Sequence, residues 1–216
     1  MNMEMLTQLR QEKIIAIMRG LTPQEALQTA QALANGGIHF TEVTFAQDSP
    51  TCIEDTAASI EAITRALPDC YVGAGTVVTQ EQLNAAYKAG AKYIISPNTD
   101  ETIIKETVAL GLVSMPGAFS PSEILNAYNW GARFVKLFPA GNLGVEYIKA
   151  IRAPISHVPI LAVGGVKREN MAEFYQAGVC GFGIGANIIK KELIRVGDYD
   201  GITKLARAYA DVAAAL

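Results

Sequence analysis

Short apolar runs alternate with amphipathic stretches along the whole of this 216-residue sequence. The eight runs occupy residues 14–19, 40–45, 71–77, 93–97, 113–117, 134–139, 160–166 and 181–188. Runs that are apolar throughout, rather than at every second position, are typical of parallel strands buried on both faces. The stretches between them show helical periodicity, for example at residues 23–35, 81–89, 99–110, 121–130 and 168–177. The alternation predicts an α/β protein with a parallel sheet.

Eight strand–helix units in 216 residues fit the lower end of (β/α)8 barrel sizes. Their similar lengths favour closure into a barrel over a doubly wound open sheet, which is the second candidate. We therefore predict one (β/α)8 TIM-barrel domain over residues 1–216, with an extra N-terminal helix, ending near Glu12, across the barrel floor. Glycines that follow helical stretches predict left-handed helix ends: Gly36, Gly90, Gly111, Gly131 and Gly178.

Composition excludes several classes of function. The net charge is −3 and no block is rich in Lys or Arg, so binding to nucleic acid is not expected. No apolar stretch approaches the ~20 residues of a membrane span, and the N-terminus lacks the features of a signal peptide. The three cysteines are far apart, which fits a reducing compartment, and only two histidines are available as metal ligands. We expect a soluble, cytoplasmic protein without a metal site.

Lys136 interrupts an otherwise apolar run, Phe134-Val135-Lys136-Leu137-Phe138-Pro139. Because side chains alternate along a strand, Lys136 shares a face with Phe134 and Phe138. Aromatic walls favour the neutral amine over the ammonium, and a neutral amine is a nucleophile. The run also fits an ordinary lysine at a strand end that reaches water past its neighbours. Lys136 is therefore a candidate catalytic residue.

Polar residues collect at the ends of the predicted strands, where (β/α)8 barrels carry their reactive groups. They include Arg19, Glu42, Thr76, Asn98 and Lys136. Glu42 should point into the barrel because it shares a strand face with Phe40 and Thr44. A buried carboxylate is costly unless it is paired or functional. Glu42 is thus either an acid/base or a simple ion-pair partner of Lys136.

Glycines follow the seventh and eighth runs, at Gly164-Gly165 and Gly185-Ala186-Asn187. Loops after these two strands of a (β/α)8 barrel often bind phosphate through backbone N–H groups. Glycine lets the backbone approach the anion without a Cβ in the way. Each of these two segments also fits a tight turn, but their joint position after the seventh and eighth runs predicts a phosphate site.

Seven segments resemble, in order, the motifs of the 2-keto-3-deoxy-6-phosphogluconate (KDPG) aldolases. This class I family also includes 4-hydroxy-2-oxoglutarate (KHG) and 6-phosphogalactonate aldolases. The segments are Glu42-Val43-Thr44, Val72-Gly73-Ala74-Gly75-Thr76-Val77, Ile95-Ser96-Pro97, Pro116-Gly117, Ser120-Pro121-Ser122-Glu123, Val135-Lys136-Leu137-Phe138-Pro139 and Val163-Gly164-Gly165-Val166. Together they span nearly the whole chain.

The resemblance implies a class I lyase of carbohydrate metabolism that needs no cofactor. Such an enzyme cleaves a 2-keto-3-deoxy-6-phospho sugar acid, or KHG, to pyruvate and an aldehyde. The resemblance makes Lys136 the Schiff-base lysine and Glu42 the acid/base. Pro97 and Phe138 become walls of the pyruvate pocket, and Thr76 a ligand of the keto-acid carboxylate. We expect Arg19 at the same end of the substrate. A homotrimer is also implied.

Two positions depart from the phosphogluconate pattern. Ala46, followed by Gln47, stands where phosphogluconate aldolases usually carry an arginine that helps to hold the carboxylate. Ser96-Pro97-Asn98 stands where the family often has Ser-Pro-Gly, and it is more similar to the 6-phosphogalactonate branch. That branch is therefore an alternative for the substrate. A barrel that binds a phosphorylated ligand without catalysis and a metal-dependent aldolase or isomerase are alternatives for the function.

Overall fold

The computed structural model describes residues 3–216, in which ten helices alternate with nine strands. The strands are β1 (Ile14–Arg19), β2 (Phe40–Thr44), β3 (Tyr71–Gly75), β4 (Tyr93–Ile95), β5 (Val113–Met115), β6 (Gly117–Ala118), β7 (Val135–Leu137), β8 (Ile160–Val163) and β9 (Gly181–Ile184). The helices are α1 (Met3–Glu12), α2 (Pro23–Asn35), α3 (Cys52–Ala66), α4 (Gln80–Lys88), α5 (Glu101–Ala109), α6 (Pro121–Asn129), α7 (Ala140–Arg152), α8 (Arg168–Gln176), α9 (Lys191–Arg195) and α10 (Tyr199–Ala214). Met1 and Asn2, which the predicted helix and domain included, lie outside the described residues.

All the strands pair in parallel, in the order β5-β4-β3-β2-β1-β9-β8-β7-β6. The two ends of this order, β5 and β6, are consecutive pieces of one strand separated by Pro116. Proline cannot donate to a ladder, so the strand changes partners there, with β5 bound to β4 and β6 bound to β7. The eight predicted runs therefore form a nearly closed (β/α)8 barrel, and the open-sheet alternative is wrong.

The core has two layers. Inside the barrel, Ile15, Phe40, Tyr93 and Phe134 belong to one buried cluster, and Leu9 of α1 packs into it. These residues lie at or near the beginnings of their strands, so α1 covers the N-terminal end of the barrel, as predicted. A larger cluster fills the space between the strands and the surrounding helices. With its floor closed, the barrel is accessible from the C-terminal ends of the strands.

Left-handed residues end four of the five helices for which they were predicted. Gly90, Gly111, Gly131 and Gly178 have positive φ angles. The prediction for Gly36 was wrong, because Gly36 is right-handed with φ of −84° and Gly37 takes the left-handed position with φ of 88°. Gly36 is needed for a different reason, since a Cβ there would overlap the side chain of Ala206 on α10.

Six of the eight predicted strands are longer than the observed ones, and three of them illustrate the difference. The runs to residues 77, 166 and 188 leave the sheet after Gly75, Val163 and Ile184. The remaining residues form loops at the C-terminal end of the barrel. Within residues 3–216, no helix is long and apolar enough to cross a membrane.

Candidate active site

A cavity of about 360 Å³ opens at the C-terminal ends of the strands. It brings together all eleven site residues predicted from the sequence. They are Arg19, Glu42, Thr76, Pro97, Lys136, Phe138, Gly164, Gly165, Gly185, Ala186 and Asn187. The barrel positions them, because parallel strands deliver their C-terminal ends to the same rim.

Lys136 lies in the middle of β7, and its side chain is only 7% exposed. Its Nζ atom lies 5.0 Å from the centroid of the Phe138 ring, which is 40% exposed at the mouth. Phe134 is buried inside the barrel, so the predicted alternation of side chains is confirmed. The amine thus reaches the cavity past an aromatic wall instead of projecting into bulk water.

Glu42, in β2, is 2% exposed and also reaches the cavity. Burial raises the pKa of its carboxyl above the usual 4.5, and the positive charges of Lys136 and Arg19 offset part of that rise. The protonated, neutral form is therefore more accessible than for a carboxyl in water. A carboxyl with a raised pKa can act as a proton donor as well as a proton acceptor.

Glu42 and Lys136 are close enough to interact electrostatically but are not directly paired. Among residues 3–216, the contacts of 4.0 Å or less between basic and acidic side chains are His39–Glu12, Lys105–Glu101 and Lys149–Glu146. The simple ion pair considered for Glu42 and Lys136 is therefore not formed. Space remains in the cavity beside both groups.

Two glycines of β3 make room for the carboxylate. A Cβ on Gly75 would overlap the carboxylate of Glu42, and a Cβ on Gly73 would overlap the ring of Tyr93. The hydroxyl of Tyr93 donates a hydrogen bond of 2.7 Å to the carbonyl of Thr41, beside Glu42. The sequence showed these glycines only as part of a motif. Glycine inside a strand signals close approach of another group and would have indicated this role.

Thr76 follows β3 in a left-handed conformation, with φ of 57°. β-Branched residues rarely adopt this conformation, and such outliers are often found at functional sites. The Oγ1 atom of Thr76 accepts a hydrogen bond from Arg19 Nη2 at 3.4 Å. A hydroxyl and a guanidinium thus lie side by side, an arrangement that suits a carboxylate.

The loops after β8 and β9 lie on another part of the rim. Gly164 and Gly165 have positive φ angles of 86° and 76°. Gly165 also packs against α7, where an added Cβ would lie 2.9 Å from the Cα of Gly141. The side chain of Asn187 joins the two loops by donating to the carbonyl of Val166 at 2.7 Å. Among the described residues, the backbone N–H groups of Gly165 and Ala186 donate to no backbone acceptor.

A second cavity, of about 460 Å³, shares Arg19, Gly185 and Ala186 with the first. Three more cations line it, Lys190, Lys191 and Arg195, together with Glu192. In the described part of the chain none of these cations has an acidic group within 4.0 Å. Sequence reasoning missed this cluster, because two lysines and an arginine around a short helix resemble an ordinary solvated surface.

The described residues contain no group of three or more His, Cys, Asp or Glu side chains that could hold a metal ion. The polar groups of the main cavity are an amine, a carboxylate, a guanidinium, a hydroxyl, a carboxamide and backbone amides. This set can form a covalent bond to a carbonyl, transfer protons and hold anions.

Comparison with known proteins gives consistent results. The family model described as "Aldolase: KDPG and KHG aldolase" matches residues 5–205. A probable 2-dehydro-3-deoxy-6-phosphogalactonate aldolase of Rhizobium meliloti is 39% identical over 179 residues, 82% of each chain. The 2-dehydro-3-deoxy-6-phosphogalactonate aldolase of Escherichia coli K12 is 36% identical over 82% of this chain and 84% of its own. A structure of KDPG aldolase from Legionella pneumophila, with pyruvate captured as a covalent carbinolamine, superimposes with a TM-score of 0.82 at 30% identity. That alignment covers 93% of this chain and 95% of the Legionella chain.

Proposed function

The chain belongs to the KDPG and KHG aldolase family, and we propose that Lys136 and Glu42 are the residues that carry out its aldol cleavage. The protein is a class I aldolase, and its substrate is a phosphorylated 2-keto-3-deoxy sugar acid that yields pyruvate and an aldehyde. The observation that carries this assignment is the burial of Lys136 and Glu42, unpaired, at one cavity. A barrel that only bound a phosphorylated ligand would have no reason to bury both groups there.

Lys136 acts as the nucleophile. Its neutral amine attacks the C2 carbonyl of the substrate, and loss of water from the carbinolamine gives a protonated imine. The imine accepts the electron pair of the C3–C4 bond as that bond breaks, which leaves an enamine of pyruvate and releases the aldehyde. Protonation of the enamine at C3 and hydrolysis of the imine then return the free amine and pyruvate.

Glu42 moves the protons in these steps. Glu42 donates a proton to the C2 oxygen of the carbinolamine, which then leaves as water. It accepts the proton of the C4 hydroxyl when the C3–C4 bond breaks, and it returns a proton to the enamine. The raised pKa of its carboxyl suits this double role, because the proton-donating form is more accessible than it is for a carboxyl in water. The imine supplies the electron sink, so the proposed chemistry needs no metal and should continue in the presence of a chelator.

The remaining cavity residues hold the two ends of the substrate. Thr76 and Arg19, joined by their hydrogen bond, bind the keto-acid carboxylate, and Pro97 and Phe138 enclose the pyruvate carbons. The loops containing Gly164-Gly165 and Gly185-Ala186-Asn187 bind the phosphate through backbone amides. The cations of the adjoining cavity support a doubly charged anion at this end.

The 6-phosphogalactonate branch is favoured for the sugar acid. Ala46 lacks the guanidinium that the phosphogluconate pattern calls for, and Asn98 replaces a glycine of that pattern. The relatives at 39% and 36% identity are named for the 6-phosphogalactonate acid. Pyruvate release should be assayed side by side with KDPG, its galactonate epimer and KHG. We expect the galactonate to give the highest kcat/KM and unphosphorylated KHG the lowest; equal rates for all three would contradict the substrate assignment.

We also propose a cytoplasmic homotrimer. The three cysteines are free, in keeping with a reducing compartment. Exposed apolar side chains on and beside α4 to α6, namely Tyr87, Val108, Phe119 and Tyr128, support a subunit contact. Light scattering should give three times the mass of one chain, and a monomer at micromolar concentration would contradict the trimer.

A further inference from the structure

The connection from β3 to α4 is held at each of its first three residues. The carbonyl of Thr76 accepts a hydrogen bond from Gln47 Nε2 at 2.9 Å. The N–H of Val77 donates to the carbonyl of Ile95 at 3.2 Å, and the N–H of Val78 donates to Gln82 Oε1 at 2.8 Å. The left-handed conformation of Thr76 is thus fixed from both sides.

Two glutamines form one continuous bridge across this connection. Gln82 Nε2 donates to Gln47 Oε1 at 3.0 Å, so the bridge runs from Val78 through both carboxamides to the carbonyl of Thr76. Gln82 is only 4% exposed, and each end of its amide has a partner. A buried amide that loses a partner is costly, so the bridge acts as a unit.

The Gln47 carboxamide therefore does not take the place of the arginine expected near this position. Gln47 does not line the substrate cavity, and its amide is directed to the carbonyl of Thr76 and to Gln82. Gln47 instead fixes the main chain of Thr76, which does line the cavity and whose hydroxyl contacts Arg19. The rigid left-handed turn keeps that hydroxyl beside the guanidinium.

We propose that Gln47 is a positioning residue for the keto-acid carboxylate, acting through the main chain of Thr76. It compensates for Ala46, because the carboxylate is bound by a braced Thr76 hydroxyl and Arg19 in place of a guanidinium after β2. This inference rests on the proposed function, in which Thr76 binds that carboxylate. It extends the substrate site to two glutamines that lie outside the cavity, Gln47 on an exposed loop and Gln82 buried in α4.

The test compares Gln47→Met with Gln80→Met. Methionine keeps the length of the side chain and removes the amide. Gln80 is an exposed glutamine on the same helix as Gln82, and it bonds to Glu106, away from the cavity. For each protein, the pyruvate concentration that half-saturates borohydride trapping on Lys136 is measured, together with the inhibition constant of inorganic phosphate.

We expect Gln47→Met to raise the half-saturating pyruvate concentration roughly 5- to 10-fold, about the effect of losing one neutral hydrogen bond that fixes a binding group. The phosphate inhibition constant should stay within about twofold, because the other end of the substrate site is untouched. Gln80→Met should change neither quantity. An unchanged pyruvate affinity in Gln47→Met would overturn the inference, and so would an equal loss at both ends of the site.

A second background separates positioning from a direct effect. Thr76→Gly removes the hydroxyl and the need to hold a strained side chain. If Gln47 acts through Thr76, Gln47→Met should weaken pyruvate binding no further in that background. The same fold-loss in both backgrounds would overturn the inference. Failure of the wild-type protein to trap pyruvate would instead overturn the proposed function.

Discussion

At the scale of single residues, the unusual feature is a buried carboxylate beside a buried amine with no direct bond between them. Glu42 is 2% exposed, and the room it occupies exists only because Gly75 has no side chain. Such an arrangement costs stability, and groups of this kind are typical of functional sites. The role of Glu42 can be measured through turnover, and the cost of burying it through the pH dependence of the free energy of unfolding.

Glu42→Gln preserves the size of the side chain and removes its proton transfer. We expect turnover to fall roughly 10²–10⁴-fold while the protein stays folded. Steady-state cleavage of the best phosphorylated substrate provides the rate, and circular dichroism provides the check on folding. Near-normal turnover would reduce Glu42 to a structural role.

The same variant should reveal the raised pKa of Glu42 through its stability. A raised folded pKa means that Glu42 supports folding fully below its usual value of 4.5 and loses that support as the pH rises through the folded pKa. Glutamine has no such dependence. The unfolding free energy of Glu42→Gln, relative to wild type, should therefore increase from about pH 4.5 towards neutrality. Denaturant titrations across that range would show a constant difference if the pKa were unshifted.

Whether a site residue could be predicted from the sequence depends on how far along the chain its partners lie. Lys136 and Glu42 were visible because a charged residue inside an apolar run is anomalous in its own segment. Gln47 was not, because its function depends on Thr76 and Gln82, which are 29 and 35 positions away. Pairing at that distance exists only once β2 and β3 are adjacent.

At the scale of elements, the sequence predicted the strands and the helix across the floor but not where each strand ends. An apolar residue in a loop that packs against the barrel, such as Val77 or Val166, looks the same in sequence as one inside a strand. The break at Pro116 is a similar case: its proline is visible, yet the exchange of partners from β4 to β7 depends on barrel closure. Helix ends were predicted to within about one residue, as Gly36 and Gly37 illustrate.

Helix α1 should contribute to stability and leave the site unaffected. Leu9 is 1% exposed and packs into the inner cluster at the floor. Leu9→Ala should lower the free energy of unfolding by about 2–5 kcal/mol, as other buried leucines do. Trapping of pyruvate on Lys136 should keep its wild-type concentration dependence, because the mouth is at the other end of the barrel. A weakened pyruvate affinity in the folded variant would show that the floor and the mouth are coupled.

At the scale of the whole molecule, charge is distributed unevenly. The chain carries a net charge of −3, yet Arg19, Lys190, Lys191 and Arg195 gather around the two joined cavities. A local positive field at the mouth of a mildly acidic protein attracts anionic substrates and is weakened by salt. This field was not predictable from overall composition, which reports only the sum of charges.

The field predicts a salt dependence that differs between substrates. Raising ionic strength from 0.01 to 0.15 M should reduce kcat/KM more for a phosphorylated sugar acid than for KHG, whose charge is smaller. The double variant Lys191→Gln with Arg195→Gln should lose most of that dependence. A control with Lys105→Gln and Lys149→Gln, which lie in ion pairs away from the mouth, should keep it. Equal salt dependence in both double variants would refute the assignment of the field to this cluster.

The measurement that tests the central claim most directly is reductive trapping of pyruvate followed by peptide mapping. Borohydride reduces an imine to a stable secondary amine, so the modified lysine identifies the nucleophile. We predict that the wild-type protein is modified on the peptide containing Lys136 and on no other lysine. Lys136→Arg should be folded, unlabelled and inactive, because arginine stays protonated and forms no imine. Labelling at Lys88 or Lys149, or no labelling of a folded wild-type protein, would contradict the account.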